Sequence, residues 1–149
     1  MRLKTKCQYL ALAGIMPMIT ACGGGGDSGD NKSITTQSMT LNGQAADGYL
    51  AYAKVCLDLN ADGICGADEP TTQTDGAGDF SLTTTPEQAK AIVLVEVIQG
   101  QTIDLDDGKT VSKSYSLTAP AGSKFVSPLT TLVQKQMEAN PELSYEQAK

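Results

Sequence analysis

Twelve residues, DLNADGICGADE over 58–69, set oxygen donors at a regular spacing. Asp58, Asn60 and Asp62 stand at every second place, Gly63 follows, and Glu69 closes the stretch. A hard dication such as Ca²⁺ takes about six to eight oxygens, and a short loop wrapped around the ion supplies them best. Asp58, Asp62 and Glu69 bring three negative charges to it. Mg²⁺ suits the same donors less well, because it demands near-octahedral geometry and keeps its waters.

The spacing matches the EF-hand loop, D-x-[DN]-x-[DN]-G-x₅-E, at each defined place. Asp58, Asn60 and Asp62 take positions 1, 3 and 5. Gly63 takes position 6, where the chain turns through a conformation that favours glycine. Ile64, at position 7, offers its main-chain carbonyl, and Gly66, at position 9, ligates only through water. Glu69, at position 12, binds through both oxygens. The competing reading is an acidic surface turn that binds nothing. The flanks are not those of a helical EF-hand, since Val55-Cys56-Leu57 reads as a strand and Pro70 follows Glu69 directly. An opening switch needs flanking helices, so the expectation is a structural Ca²⁺ loop between strands. Asp75, in TDGAGDF, either completes the shell or serves a plain Asp-Gly turn.

Cys56 stands just before the loop and Cys65 within it. If Asp58 and Glu69 converge on one ion, the loop folds back and the two cysteines approach disulfide distance. A bridge here would hold the loop closed. The rivals are a thiolate metal site and a redox pair. Two cysteines in a chain with no histidine make a poor zinc site, and the spacing is not C-x-x-C.

The elements around the loop read mainly as strands. Strand-like stretches begin at Thr40–Gly43 and Gly48–Leu50. Ala53–Leu57 alternates with period two. Asp75–Gly78 is a turn leading into Phe80–Leu82. Ile92–Ile98, β-branched and nearly continuous, predicts a central strand or one buried on both sides. Gln101–Asp104 and Thr110–Leu117 predict two more strands around Asp106-Asp107-Gly108. The fold class expected is mainly β, a small antiparallel β-sandwich over 39–122. A helical extension follows over 123–149. Ser127-Pro128 opens a helix, Leu129, Leu132, Val133, Gln136 and Met137 recur at helical spacing, and Asn140-Pro141 closes it. Ser144 and Gln147 form a capping box for a second helix, which has barely one turn before Lys149. A truncated protein, a fragment or a frameshifted gene would end so, and so would a frayed tail.

Residues 1–21 begin with Arg2, Lys4 and Lys6 and continue with an apolar run from Tyr9 to Ile19, the form of a secretory signal peptide. Ile19-Thr20-Ala21-Cys22 resembles the lipobox of bacterial lipoproteins. That resemblance implies acylation of Cys22, a membrane anchor through its lipid, and, with Gly23 next, the outer membrane, facing either the periplasm or the outside. The alternative is ordinary cleavage that leaves Cys22 free. Cys7 leaves with the peptide. Residues 22–38 form the anchor and a Gly/Ser tether with too few apolar side chains to fold.

The chain carries 11 basic and 17 acidic residues and no histidine. Without the first 21 residues, eight basic face 17 acidic, a balance of −9. That balance argues against nucleic acid as a partner, since its phosphates need Lys and Arg. No G-x-S-x-G elbow and no G-x-x-x-x-G-K-[ST] loop is present, and the best carboxylate cluster is accounted for by Ca²⁺, so no enzyme is expected.

The run ADGYLAYAKVCLDLNADGICGADEPTTQTDGAGDFSL, from Ala46 to Leu82, resembles the calcium-stabilised B-type modules of bacterial serine-aspartate repeat adhesins and the wider carboxypeptidase-regulatory, transthyretin-like sandwiches. These share a strand, then D-x-N-x-D-G-x₅-E-P, then T-D-x-x-G-x-F, here Asp58–Pro70 and Thr74–Phe80. Lys124–Glu138, KFVSPLTTLVQKQME, is similar to a segment that follows such modules in proteobacterial lipoproteins. The resemblance implies a transthyretin-like sandwich, a Ca²⁺ in the loop, and an adhesive or spacer role toward a protein or surface ligand. The adhesin modules lack the Cys56/Cys65 pair and stand in tandem, whereas this chain shows no internal repeat. The other function expected is the N-terminal part of a longer surface enzyme or binding protein.

Overall fold

The structure, a computed structural model, describes residues 37–149. The expected signal peptide, the lipidation expected at Cys22 and nearly all of the expected tether lie outside the described residues. The rest is mainly β, with few helices. Ten strands follow in chain order: β1 (Met39–Ala45), β2 (Leu50–Ala51), β3 (Lys54–Asp58), β4 (Thr71–Gln73), β5 (Asp79–Thr84), β6 (Ile92–Val97), β7 (Ile103–Asp104), β8 (Lys109–Thr110), β9 (Tyr115–Ala119) and β10 (Phe125–Val126). Helices α1 (Pro128–Ala139) and α2 (Tyr145–Ala148) close the described chain.

The strands form three sheets, in the orders β10-β1-β5, β2-β7-β8 and β4-β3-β6-β9. All pairings are antiparallel except β1 with β10. Alternation explains the first sheet. Phe80, Leu82 and Thr84 of β5 point inward between exposed neighbours, and β1 contributes Leu41 and Ala45. In the four-stranded sheet, β6 is central, as its apolar run predicts, and pairs with β3 and β9. Val55, Leu57, Val93, Val95, Val97, Leu117 and Ala119 form one core cluster with Leu41, Phe80, Leu82 and Val126 of the other sheet. Full burial of such a side chain stabilises by roughly 1.5–3 kcal/mol, so this cluster is the main source of cohesion. The opposite face of the four-stranded sheet holds a second, small cluster, Cys56, Cys65 and Leu94.

Two predicted elements differ in detail. The hairpin around Asp106–Gly108 is present, but its strands have two residues each, pairing Ile103 with Thr110 and Asp104 with Lys109. The single strand expected over Thr110–Leu117 is divided. Lys109–Thr110 closes the hairpin, and Tyr115–Ala119 crosses to the four-stranded sheet. Ser112-Lys113-Ser114 lies between them, and Ser114 Oγ accepts from the Gln99 N–H at 2.9 Å instead of joining a ladder. β4 carries no apolar alternation and was not expected. It pairs along the edge of β3.

The helix signals hold closely. Ser127 caps α1 by accepting from the Thr130 N–H, Pro128 begins it, and Asn140 ends it. Ser144 and Gln147 form the capping box of α2. The orientation of α1 is not the one its apolar spacing suggests. Gln134 is its buried residue, while Leu129 and Leu132 are 73% and 64% exposed. The helix is held on β9 by hydroxyls. Thr131 Oγ1 accepts from the Thr118 N–H at 2.9 Å, and Thr130 Oγ1 donates to the Thr118 carbonyl at 2.9 Å. These bonds close the edge of a sheet that would otherwise offer unpaired backbone groups.

Candidate functional site

The 58–69 loop leaves the end of β3 and folds back over the outer face of the four-stranded sheet. Lys54, Cys56 and Asp58 lie on that face, opposite Glu96, Leu94 and Ile92 of β6. Cys65 returns to Cys56 in a disulfide, Cα–Cα 5.6 Å, packed on Leu94. The expected bridge is therefore present, and both cysteines are buried. Lys54 and Glu96 hold the same point from the backbone side. Glu96 Oε1 accepts from the Cys65 N–H at 3.0 Å, Lys54 Nζ donates to the Cys65 carbonyl at 2.7 Å, and the two side chains pair at 3.3 Å. Nothing in the sequence singles out Lys54 and Glu96, because only the β3–β6 register sets them opposite each other.

Within the loop the side-chain oxygens turn toward the backbone. Asp58, 3% exposed, accepts from the N–H of Asp62 at 3.2 Å through Oδ1 and of Gly63 at 2.9 Å through Oδ2. Ala61 (φ 58) and Gly63 (φ 76) take the left-handed conformation on either side of Asp62. Asn60 Oδ1 accepts from Asp62 N–H, and Asp62 Oδ1 accepts from Ile64 N–H. Glu69 reaches across the loop mouth: Oε1 accepts from Leu59 N–H at 2.7 Å and Oε2 from Gly66 N–H at 3.0 Å. One carboxylate thus joins the entering and returning limbs. The Ile64 side chain is 60% exposed.

Each carboxylate oxygen has two lone pairs, so these N–H bonds leave capacity for a cation. Oxygens of the right hardness stand around one short loop, which fits Ca²⁺ chemistry. As the side chains stand, no group of three or more His, Cys, Asp or Glu among the described residues is drawn together into a metal cage. Among the described residues no lysine pairs with Asp58. Asp75 stands elsewhere and serves its own turn, with Oδ1 accepting from the N–H of Ala77 and of Asp79.

A cleft of about 400 Å³ separates the loop from α1. Asp58, Asp62 and Gly63 line one side, and Gln134, Lys135 and Glu138 the other. Gln134 Nε2 donates to Glu138 Oε1 at 2.9 Å. The helical periodicity pointed to the leucines instead and missed this polar side.

A second acidic turn follows β7. Asp104 Oδ1 accepts from the Asp106 N–H, and Asp107 accepts from the Lys109 N–H at 2.9 Å and pairs with its ammonium at 3.3 Å. The backbone bond first, then the side-chain contact, lowers the Asp107 pKa from the usual carboxylate value. Both Asp104 and Asp106 crowd Gly48, where an added Cβ would meet a carboxylate oxygen of each at 2.5 Å. Nearby, Tyr115 donates to Asp47 Oδ2 at 3.0 Å. Burial first, then the bond to Asp47, pushes the Tyr115 pKa up to about 12.

No described helix is long and apolar enough to cross a membrane. Compared with known protein families, curated proteins and solved structures, the chain finds no match.

Proposed function

We propose that the chain is a lipid-anchored cell-envelope protein, held at the outer membrane through Cys22, whose transthyretin-like β-sandwich takes one structural Ca²⁺ in the 58–69 loop and acts as an adhesive or spacer module. The observation that carries this reading is Asp58. A buried carboxylate is ordinarily paired with a cation or bound to a metal. Asp58 is 3% exposed and, among the described residues, accepts only from loop N–H groups. Its missing counter-charge is what a dication would supply. Asp58, Asn60, Asp62, the Ile64 carbonyl and Glu69 would hold the ion, which would neutralise the loop and join its two limbs. The Cys56–Cys65 bridge and the Lys54–Glu96 pair keep those limbs near each other without it, as suits a rigid support better than a switch.

A second reading, the N-terminal part of a longer surface enzyme or binding protein, is favoured by α1. Leu129 and Leu132 face solvent on a helix whose polar side faces the loop, and large exposed apolar side chains grouped together mark an interaction surface.

The test is calorimetric titration of the oxidised protein with Ca²⁺, alongside thermal melting. One bound ion and a higher melting temperature, both lost in Asp58→Ala and Glu69→Ala, are expected. A folded wild type that takes up no Ca²⁺ sinks the metal reading and leaves an acidic turn.

A further inference from the structure

The cleft between the 58–69 loop and α1 brings together two buried polar side chains from different elements. Its polar side chains are Asp58 and Asp62 on the loop, Thr118 on β9, and Gln134, Lys135 and Glu138 on α1. Of these, Asp58 and Gln134 are buried, at 3% and 7% exposure. The Gln134 amide has a fixed sense. A carboxylate is an acceptor only, so the amide turns its nitrogen to Glu138, where Nε2 donates to Oε1 at 2.9 Å. Gln134 Oε1 is then the free pole, with no hydrogen bond from the described residues. No fully enclosed side-chain oxygen or nitrogen among the described residues lacks a partner. This oxygen therefore opens to solvent, and the cleft is the solvent space that Gln134 lines.

Burying an amide costs free energy unless its polar atoms are satisfied. α1 buries Gln134 while Leu129 and Leu132 face out. The bonds of Thr130 and Thr131 to β9 set which side of the helix turns inward. They leave the Gln134 oxygen unaccounted for. Across the cleft the facing groups match in kind. Asp58 and Asp62 are acceptors, and so are Gln134 Oε1 and the second oxygen of Glu138. Lys135 is exposed and forms no ion pair among the described residues. Acceptors on both walls call for a donor between them. The cleft of about 400 Å³ has room for about a dozen waters at ~30 Å³ each, so it suits an ion together with its waters. A hydrated dication held by carboxylates on one side turns polarised water O–H groups to the other, where acceptors receive them.

We propose that α1 forms the outer wall of the Ca²⁺ site, with Gln134 and Glu138 as positioning residues that accept from the ion's waters, so that Ca²⁺ uptake holds α1 against the 58–69 loop. The inference rests on the reading of that loop as a Ca²⁺ loop. It adds a second element to the site and gives the ion a task beyond the loop, the coupling of the helical extension to the four-stranded sheet.

The oxidised protein is titrated with Ca²⁺ by calorimetry, and amide hydrogen exchange over 128–139 is followed with and without the ion. Ca²⁺ is expected to slow exchange in α1 about tenfold or more. Gln134→Leu is expected to bind Ca²⁺ about tenfold more weakly, the size of effect that outer partners of a metal site carry, and to lose the added protection of α1. Gln134→Glu removes the donor to Glu138 and keeps an acceptor toward the cleft. It is expected to melt lower than wild type without Ca²⁺ and to gain more in melting temperature with it. A wild type that binds Ca²⁺ with no change in α1 exchange overturns this inference and leaves the loop site standing. So does wild-type Ca²⁺ affinity in both cooperatively melting variants. A folded wild type that binds no Ca²⁺ overturns the loop reading and this inference together.

Discussion

The two acidic turns of this molecule have similar composition and different physics. The turn at 104–108 carries its own cation two positions on, where Lys109 pairs with Asp107 in the open. The loop at 58–69 has no lysine or arginine inside it. Its first carboxylate is buried, its last joins both limbs through backbone N–H groups, and a disulfide fixes its return. Acidic residues alone therefore do not define a site. What separates the two is whether the negative charge is answered locally and exposed, or is gathered inward with no lysine pairing its buried carboxylate among the described residues.

The largest way to break this contrast is to release the staple. Reducing the disulfide, or Cys56→Ser with Cys65→Ser, is expected to cost roughly 3 kcal/mol in denaturant unfolding, because a short closed loop is freed in the unfolded state. The next probe is the ion. At a Ca²⁺ concentration about 100 times Kd, wild type should gain roughly 2.7 kcal/mol. Asp58→Ala should gain nothing, and Asp107→Ala should keep the full gain. An equal loss in both variants would erase the distinction between the turns. A smaller effect is expected where α1 meets the sheet. Thr131→Val removes a partner of the Thr118 N–H and should cost about 1 kcal/mol by denaturant midpoint.

Tyr115 sharpens the account of the second turn. Its pKa is raised in the fold, so the folded state keeps a proton that the unfolded state loses first. Stability from this group is complete below pH of about 10 and declines as pH rises toward about 12. Melting temperature should fall over that window, and less steeply in Tyr115→Phe. Last, Lys109→Ala should leave the melting temperature where it is, since the pair it breaks is exposed.

Legibility followed the range of the interactions involved. The loop spacing, the Asp75 turn, the central β6 and both helix starts could be read because neighbours within a few positions determine them. β4 escaped because a three-residue exposed edge strand has no alternation to show. The division of Thr110–Leu117 escaped because its two halves are claimed by different sheets. For α1, the leucine spacing announced a helix correctly and misled about its inner face. Hydroxyls of Thr130 and Thr131, satisfying the β9 edge, decide the orientation instead.

By itself the sequence determined the chemistry available: which oxygens stand at which intervals, two cysteines bracketing a turn, Ser127-Pro128 to start a helix and Asn140-Pro141 to stop it. These are local properties, carried by side chains acting on their own backbone. Only the tertiary structure decided that Cys65 rests on Leu94, that Lys54 and Glu96 grip it, that Asp58 is buried, and that Tyr52 stands exposed with a left-handed backbone. Each depends on strand register and on what packs across a sheet, and those are settled by the burial of the whole core, beyond the reach of any short stretch.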